Sequence, residues 1–227
     1  MVVRIEGLEF MIRLPDTRLA PQAYEQLLLL ILSGELEAGE LVNERRLADL
    51  LGMSRTPVRD ALLMLEGEGL VERQGNRGLQ IKHMRIEDYM EALQVRMLLE
   101  PHTARLAAMQ GAGADWSTLV ARLEQLVADD GAADVERADV REIDDRLHDT
   151  ISEAAGNRQL SGIIRTLRRQ TQVFDLKSVP ERLVDTCREH LAIIARIRAG
   201  DGEGASVAMR SHLEGVRASI IRRVTGA

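Results

Sequence analysis

From Ile86 to Val224 the chain repeats one pattern six times: apolar side chains three and four residues apart, followed by a stop. The segments are Ile86 to Met109, Trp116 to Ala128, Val140 to Ala155, Leu160 to Phe174, Glu181 to Ala199 and Ala205 to Val224. Between them stand Gly111 and Gly113, Gly131, Gly156, Ser178 to Pro180, and Gly200 to Gly202. This period marks amphipathic helices, and glycine or proline ends them. Asp115, Asn157 and Asp201 are positioned as N-caps, and Ser178-Val179-Pro180-Glu181 fits a capping box. With one Trp, two Tyr and two Phe, the core must rest on aliphatic side chains, which favours helices further. The expectation for residues 84–227 is an antiparallel six-helix bundle, without a strand-helix alternation or a glycine-rich phosphate loop.

The preceding stretch is built differently. Residues 1–20 show no clean period and are set apart as an N-terminal extension. Tyr24, Leu27, Leu28 and Ile31 then predict a helix over about 21–33, stopped at Ser33-Gly34, and Glu35 to Val42 predicts an extended connector. Asn43 caps a second helix carrying Leu47, Ala48, Leu50 and Leu51. In Gly52-Met53-Ser54-Arg55-Thr56-Pro57-Val58-Arg59-Asp60-Ala61-Leu62, Gly52 suits a tight turn, Ser54 a cap and Pro57 a first helical turn. Val58, Ala61, Leu62 and Leu65 face inward, while Arg55 and Arg59 share the outer face. After Gly67 and Gly69, Leu70 to Arg73 and Leu79 to Lys82 flank the polar turn Gln74 to Gly78, which predicts a β-hairpin. Helix, helix, recognition helix and hairpin wing over 21–83 form a winged helix-turn-helix, so the fold class is mostly α with one small β-hairpin wing.

A formal net charge of −6 argues against coating nucleic acid through bulk charge. From Asn43 to Lys82, however, seven Lys or Arg stand against six Asp or Glu, a local and focused basic balance. An arginine there can present two donors to guanine O6 and N7. The competing reading makes Arg55 and Arg59 partners of Asp60, Glu66 or other neighbours in surface ion pairs. Cys187 is the only cysteine, so neither a disulfide framework nor a cysteine zinc module is expected. The longest apolar run, Leu27 to Leu32, is six residues, which predicts a cytoplasmic protein without signal peptide or membrane span.

Leu41-Val42-Asn43-Glu44-Arg45-Arg46-Leu47-Ala48, the Leu51 to Leu62 stretch, Glu68-Gly69-Leu70-Val71 and Arg77-Gly78 resemble the winged helix-turn-helix of GntR-family bacterial regulators. The resemblance covers about 65 residues and is specific. It implies that Arg45, Arg55 and Arg59 contact a double-stranded DNA operator, that Gly75 brings the wing tip to the minor groove, and that Thr56 serves a phosphate. Ala38 stands where proline is usual, Met53 replaces a common valine and Asp60 a common glutamate; none alters the arginines.

Three histidines then mark the helical half. Asp144 and His148 fall on one side of their helix with Val140, Leu147 and Ile151, opposite Arg141, Asp145, Asp149 and Ser152. His190 falls in the stripe Leu183, Cys187, Ile194, Ile197, and His212 in Ala205, Met209, Val216, Ile220. A lone inward histidine is commonly a core side chain with a hydrogen-bond partner. Three of them with a carboxylate need the compensation a divalent cation supplies. Asp144, His148, His190 and His212 are therefore the candidate metal ligands, and they leave coordination positions open.

This half resembles the effector-binding domain of the FadR branch of that family, the FCD domain. The likeness covers about 140 residues more diffusely, on Arg96-Met97-Leu98-Leu99-Glu100, Asp144 with His148, Gly156-Asn157, His190, and Gly200-Asp201 followed by His212. It implies a zinc site, with nickel or manganese as alternatives, and a small carboxylate effector bound beside it. Leu147 stands where phenylalanine commonly precedes the histidine, and Asp145 adjoins Asp144, although helical phase prefers Asp144. Arg96 is the candidate clamp for the effector carboxylate, or else an i,i+4 partner of Glu100. His102 ranks as a substitute ligand, His83 belongs to the connector, Cys187 to packing, and Arg165, Arg168 and Arg169 to a solvated face or to one that touches ligand or partner. The implied function is a homodimeric transcription regulator and repressor released by a small organic acid or sugar acid. The alternatives are a metal-free pocket for an acyl-CoA, or a metal-dependent hydrolase.

Overall fold

The computed structural model describes residues 2–5, 8–11, 19–110, 114–129, 137–174 and 182–226. They fall into two compact units, residues 1–84 and 85–227. The chain opens with a short antiparallel hairpin, β1 (Val2–Ile5) and β2 (Leu8–Met11), in the register Val2 with Met11 and Ile5 with Leu8. Residues 1–20 gave no readable period because four-residue strands are too short to establish one.

α1 (Leu19–Ser33) buries Ala23, Tyr24, Leu27, Leu28, Ile31 and Leu32, the stripe its sequence period predicts. Gly34, at φ 81°, ends it in the left-handed conformation that glycine adopts freely. α2 (Glu44–Leu51) is capped by Asn43, whose Oδ1 accepts the Arg46 amide at 3.0 Å. α3 (Arg55–Gly67) turns Pro57, Val58, Ala61, Leu62 and Leu65 inward onto α1 and α2. Its start differs from expectation: Ser54 makes no side-chain cap hydrogen bond.

The wing consists of β3 (Val71–Arg73) and β4 (Leu79–Ile81), antiparallel, with Val71 opposite Ile81. The connector after α1 joins it: the Val42 amide donates to Leu79 O at 2.8 Å, and the Ile81 amide to Glu40 O at 2.9 Å. The extended connector thus laces the wing to the helices rather than simply crossing between them.

The second unit holds α4 (Ile86–Gln110), α5 (Ser117–Ala128), α6 (Arg137–Ala154), α7 (Arg158–Phe174), α8 (Leu183–Arg198) and α9 (Gly202–Thr225). α4 packs against α6, α7, α8 and α9, and α5 against α6 and α8. Leu93, Leu123, Leu147 and Ile193 are among the fully buried side chains of this core. Asn157 and Asp201 cap α7 and α9, accepting the Leu160 and Gly204 amides at 3.1 and 2.8 Å. Asp115 accepts the Ser117 amide at 2.9 Å, although Trp116 occupies the capping position of α5. The Ser178 to Glu181 capping box and the stops at Gly111, Gly113 and Gly131 lie outside the described residues. Among the described residues no helix is long and apolar enough to cross a membrane.

Leu62 is fully buried. Leu62→Ala is expected to destabilise the first unit by about 2–5 kcal/mol, the usual range for emptying such a site. The shift of its denaturant unfolding midpoint measures this.

Candidate functional site

The first surface of interest lies on α2 and α3. Arg45, Arg55, Thr56 and Arg59 are all exposed, and Gly75 is exposed at the start of the single 3₁₀ turn, Gly75–Arg77, that joins β3 to β4. The partner of the two α3 arginines is neither Asp60 nor Glu66 but Glu44, at the start of α2. Arg59 donates from Nε and Nη2 to the two Glu44 oxygens at 3.1 and 2.9 Å, and Arg55 Nη2 donates to Oε2 at 3.1 Å. Arg59, with Arg55 adding to it, lowers the Glu44 carboxyl against the opposing effect of its partial burial. Glu66 pairs instead with Arg73 on the wing, at 3.0 Å.

The second site lies inside the helical unit. α6 presents Asp144 and His148, α8 His190 and α9 His212, and the three histidines are buried. One donor atom from each of the four residues lies within 4.8 Å of the others. His148 Nε2 and His190 Nε2 stand 3.7 and 3.5 Å from Asp144 Oδ1. Ligand atoms of one tetrahedral ion at ~2.1 Å stand about 3.4 Å apart, close to these two separations.

Each ligand except His190 has an outer partner that aims it. Glu189 Oε2 accepts from His212 Nδ1 at 2.9 Å, which leaves the Nε2 lone pair of His212 for the cluster. Glu189 is itself paired with Arg182, whose guanidinium lies over Gly215; a Cβ there would come within 2.6 Å of Nη2. His148 Nδ1 lies 2.5 Å from Glu100 Oε2, a buried charge contact on the side of the ring away from Asp144. Glu100 is anchored by Arg96, whose Nε donates to Oε1 at 2.6 Å and whose Nη1 donates to Thr171 at 3.0 Å. Asp144 Oδ2 accepts from Arg168 at 2.7 Å, and Arg168 also donates to Asp145 at 2.8 Å.

Two sequence readings change here. Arg168, read on a solvated face or one that touches ligand or partner, is buried against the cluster, and Ser152, read as outward, is buried as well. Arg96 is buried and holds the i,i+4 pair with Glu100. His102 is exposed on α4, away from the four ligands. Glu189 and Arg182, and the contact of Glu100 with His148, carried no signal of their own, because these roles depend on which helix lies opposite.

The residues fit a metal ion on a structural ground. His148 Nε2 and both ring nitrogens of His190 are buried without a hydrogen-bond partner, a condition costing about 1–3 kcal/mol per group. Burial, then the neighbouring His212, push His190 well below its usual range; burial and then Arg168 lower His148. Burial by itself would raise the Asp144 carboxyl, but Arg168 and then the histidines outweigh it and hold it well below the carboxylate range. Neutral imidazoles beside an ionised carboxylate are the protonation states a divalent cation requires.

A winged helix-turn-helix joined to a helical domain with a buried histidine cluster defines a transcription regulator. Residues 19–81 match the family of bacterial regulatory proteins, gntR family, and residues 91–215 match the FCD domain. The chain belongs to the GntR family of regulators, in its FCD branch. It is 30% identical to the probable D-xylose utilization operon transcriptional repressor of Paenarthrobacter nicotinovorans, over 88% of each chain. It is 27% identical to the Glc operon transcriptional activator of Escherichia coli K12, over 84% of each. The fold matches that of E. coli McbR/YncC at TM-score 0.74 and 19% identity, covering 91% of this chain and 98% of that one. These relatives are regulators rather than enzymes, so the hydrolase alternative finds no support.

The histidine pKa directions set a pH dependence. With folded values below the unfolded value of about 6.5, the unfolded chain binds protons that the fold refuses. Stability is therefore complete above about pH 6.5 and declines as pH falls below it. Urea unfolding of chelator-treated protein at pH 7.5 and 5.5 is expected to show the loss, with a smaller loss in His190→Gln.

Proposed function

We propose that this chain is a cytoplasmic homodimeric repressor, released from its operator by a small carboxylate or sugar acid bound at a divalent metal, zinc, in the helical domain. The observation that carries the reading is the buried convergence of Asp144, His148, His190 and His212 with imidazole nitrogens left unsatisfied. Zinc bound there would supply an open Lewis-acid position for a carboxylate oxygen, and nickel or manganese would suit the same donors.

The chain's own residues do the rest. Arg96 and Arg168 are buried guanidiniums beside the cluster, and a guanidinium recognises carboxylate through paired donors. Arg96 meets an effector by loosening its bond to Glu100; Arg168 does so by yielding Asp145 while keeping Asp144. These buried charges favour a small acid over the apolar chain of an acyl-CoA. In the DNA-binding unit Arg45, Arg55 and Arg59 read the operator, Thr56 serves a phosphate at the start of α3, and Gly75 carries the wing tip toward the minor groove. Two copies read two half-sites, which multiplies a modest local affinity. α4 carries Arg96 and Glu100 and begins five residues after β4 ends, so movement of α4 on effector binding is passed through residues 82–85 to the wing.

Thermal unfolding of the full-length protein against small carboxylates and sugar acids, with and without a chelator, tests this reading. An effector at a hundred times its Kd adds about 2.7 kcal/mol to the folded state. The expected result is a stabilising acid whose effect disappears with chelation and which releases the protein from DNA. Metal-independent stabilisation, or a bound acid that leaves DNA binding unchanged, would overturn it. Glu189→Ala is expected to weaken zinc binding by about 10–100-fold in a chelator competition, since it frees the His212 ring.

A further inference from the structure

Among the described residues, Glu44 is the one acidic side chain seen to hydrogen-bond both arginines of the α3 outer face. It is the first residue of α2, its side chain is 25% exposed, and the Arg55 and Arg59 side chains it engages are 63% and 57% exposed. Its two oxygens accept the Nε and Nη2 hydrogens of Arg59 as a parallel fork, and Oε2 also accepts from Arg55. An exposed pair of this kind contributes little to stability. On a DNA-facing surface it also carries a penalty, because one negative charge between two cations reduces the phosphate charge they can neutralise and the counterions they release.

What the arrangement supplies is direction. A guanidinium has two hydrogen-bonding edges, and Glu44 occupies the Nε–Nη2 edge of Arg59. The Nη1–Nη2 end still carries the paired donors that match guanine O6 and N7. A guanidinium fixed this way loses less side-chain freedom on meeting a base, and its shared charge makes it a poorer partner for a random phosphate.

We propose that Glu44 is a specificity-determining residue: it buttresses Arg59, and with it Arg55, so that the pair reads guanine in preference to gripping backbone. The inference rests on the reading of these arginines as DNA-facing. It differs from a role confined to the α2 N-terminus, where an acidic side chain favours the helix dipole. That role changes stability and leaves sequence preference alone.

The test uses full-length protein and two DNA probes: a duplex selected by the wild-type protein from a random pool, and a random-sequence duplex. Dissociation constants are measured across salt concentrations for wild type, Glu44→Gln, Glu44→Asp, Arg59→Ala and the Glu44→Gln/Arg59→Ala double variant. Glu44→Gln is expected to hold or raise affinity for random duplex, steepen its salt dependence by about one unit, and cut the selected-to-random preference about tenfold. Glu44→Asp, which keeps the charge but shortens the reach, is expected to lose preference without gaining random affinity. In the Arg59→Ala background Glu44→Gln is expected to change the preference no further. An unchanged preference in Glu44→Gln while Arg59→Ala abolishes it, or an equal loss on both probes, would overturn the proposal. If Arg59→Ala itself leaves the preference intact, the arginine reading fails and the buttress falls with it.

Discussion

Burying ionised and polar side chains in the middle of an aliphatic bundle is the constraint that organises the helical unit. Arg96, Glu100, His148, Arg168, His190 and His212 are all buried. None of them could be held there singly, since an unpaired charge in a low-dielectric interior costs several kcal/mol. All but His190 are instead tied to a neighbour on another helix or one turn away: Arg96 to Glu100 and Thr171, Glu100 to His148, Arg168 to Asp144, His212 to Glu189. The network therefore fixes the register of α4, α6 and α7, and the histidines of α8 and α9 complete it. Aliphatic contacts alone would tolerate small slips between helices; directional bonds do not.

The DNA-binding unit meets a different demand with different means. Its core is apolar and continuous from Ala23 to Ile81, and its charges stay on the surface. Asn43 fixes the start of α2, Gly52 at φ 63° turns the chain, and α3 follows with its arginines outward. The wing is held from two sides, by its own strand pair and by the connector bonded at Val42 and Ile81. The exposed arginines of α3 thus stand on backbone that has little freedom to tilt.

The helices, the wing and the four candidate ligands were legible because each depends on local spacing. His148, His190 and His212 share the apolar face of their own helices, and a 3.6-residue period is enough to find them. Their outer partners depend on tertiary position. Glu189 adjoins His190 in sequence yet serves His212 on another helix, and Arg168 sits among Arg165 and Arg169 on α7 while reaching Asp144 on α6. Glu44 reads as an ordinary acidic residue in a first helical turn until α3 brings Arg55 and Arg59 beside it. Ser54 shows the converse: residue type suited a cap, and local geometry did not form the bond.

Pro101 lies inside α4, directly after Glu100. It has no amide hydrogen, so the carbonyl one turn earlier, at Met97, loses its normal helical donor, and the ring crowds that same turn. The missing rung falls in the stretch that begins with Arg96 and ends with Glu100, where α4 is fastened to His148. A long helix weakened at one turn behaves as two stiff rods with a flexure between them. In α4 that weaker turn coincides with the fastening, so the point where the histidine cluster grips the helix is also the point where its own hydrogen-bond ladder is thinnest.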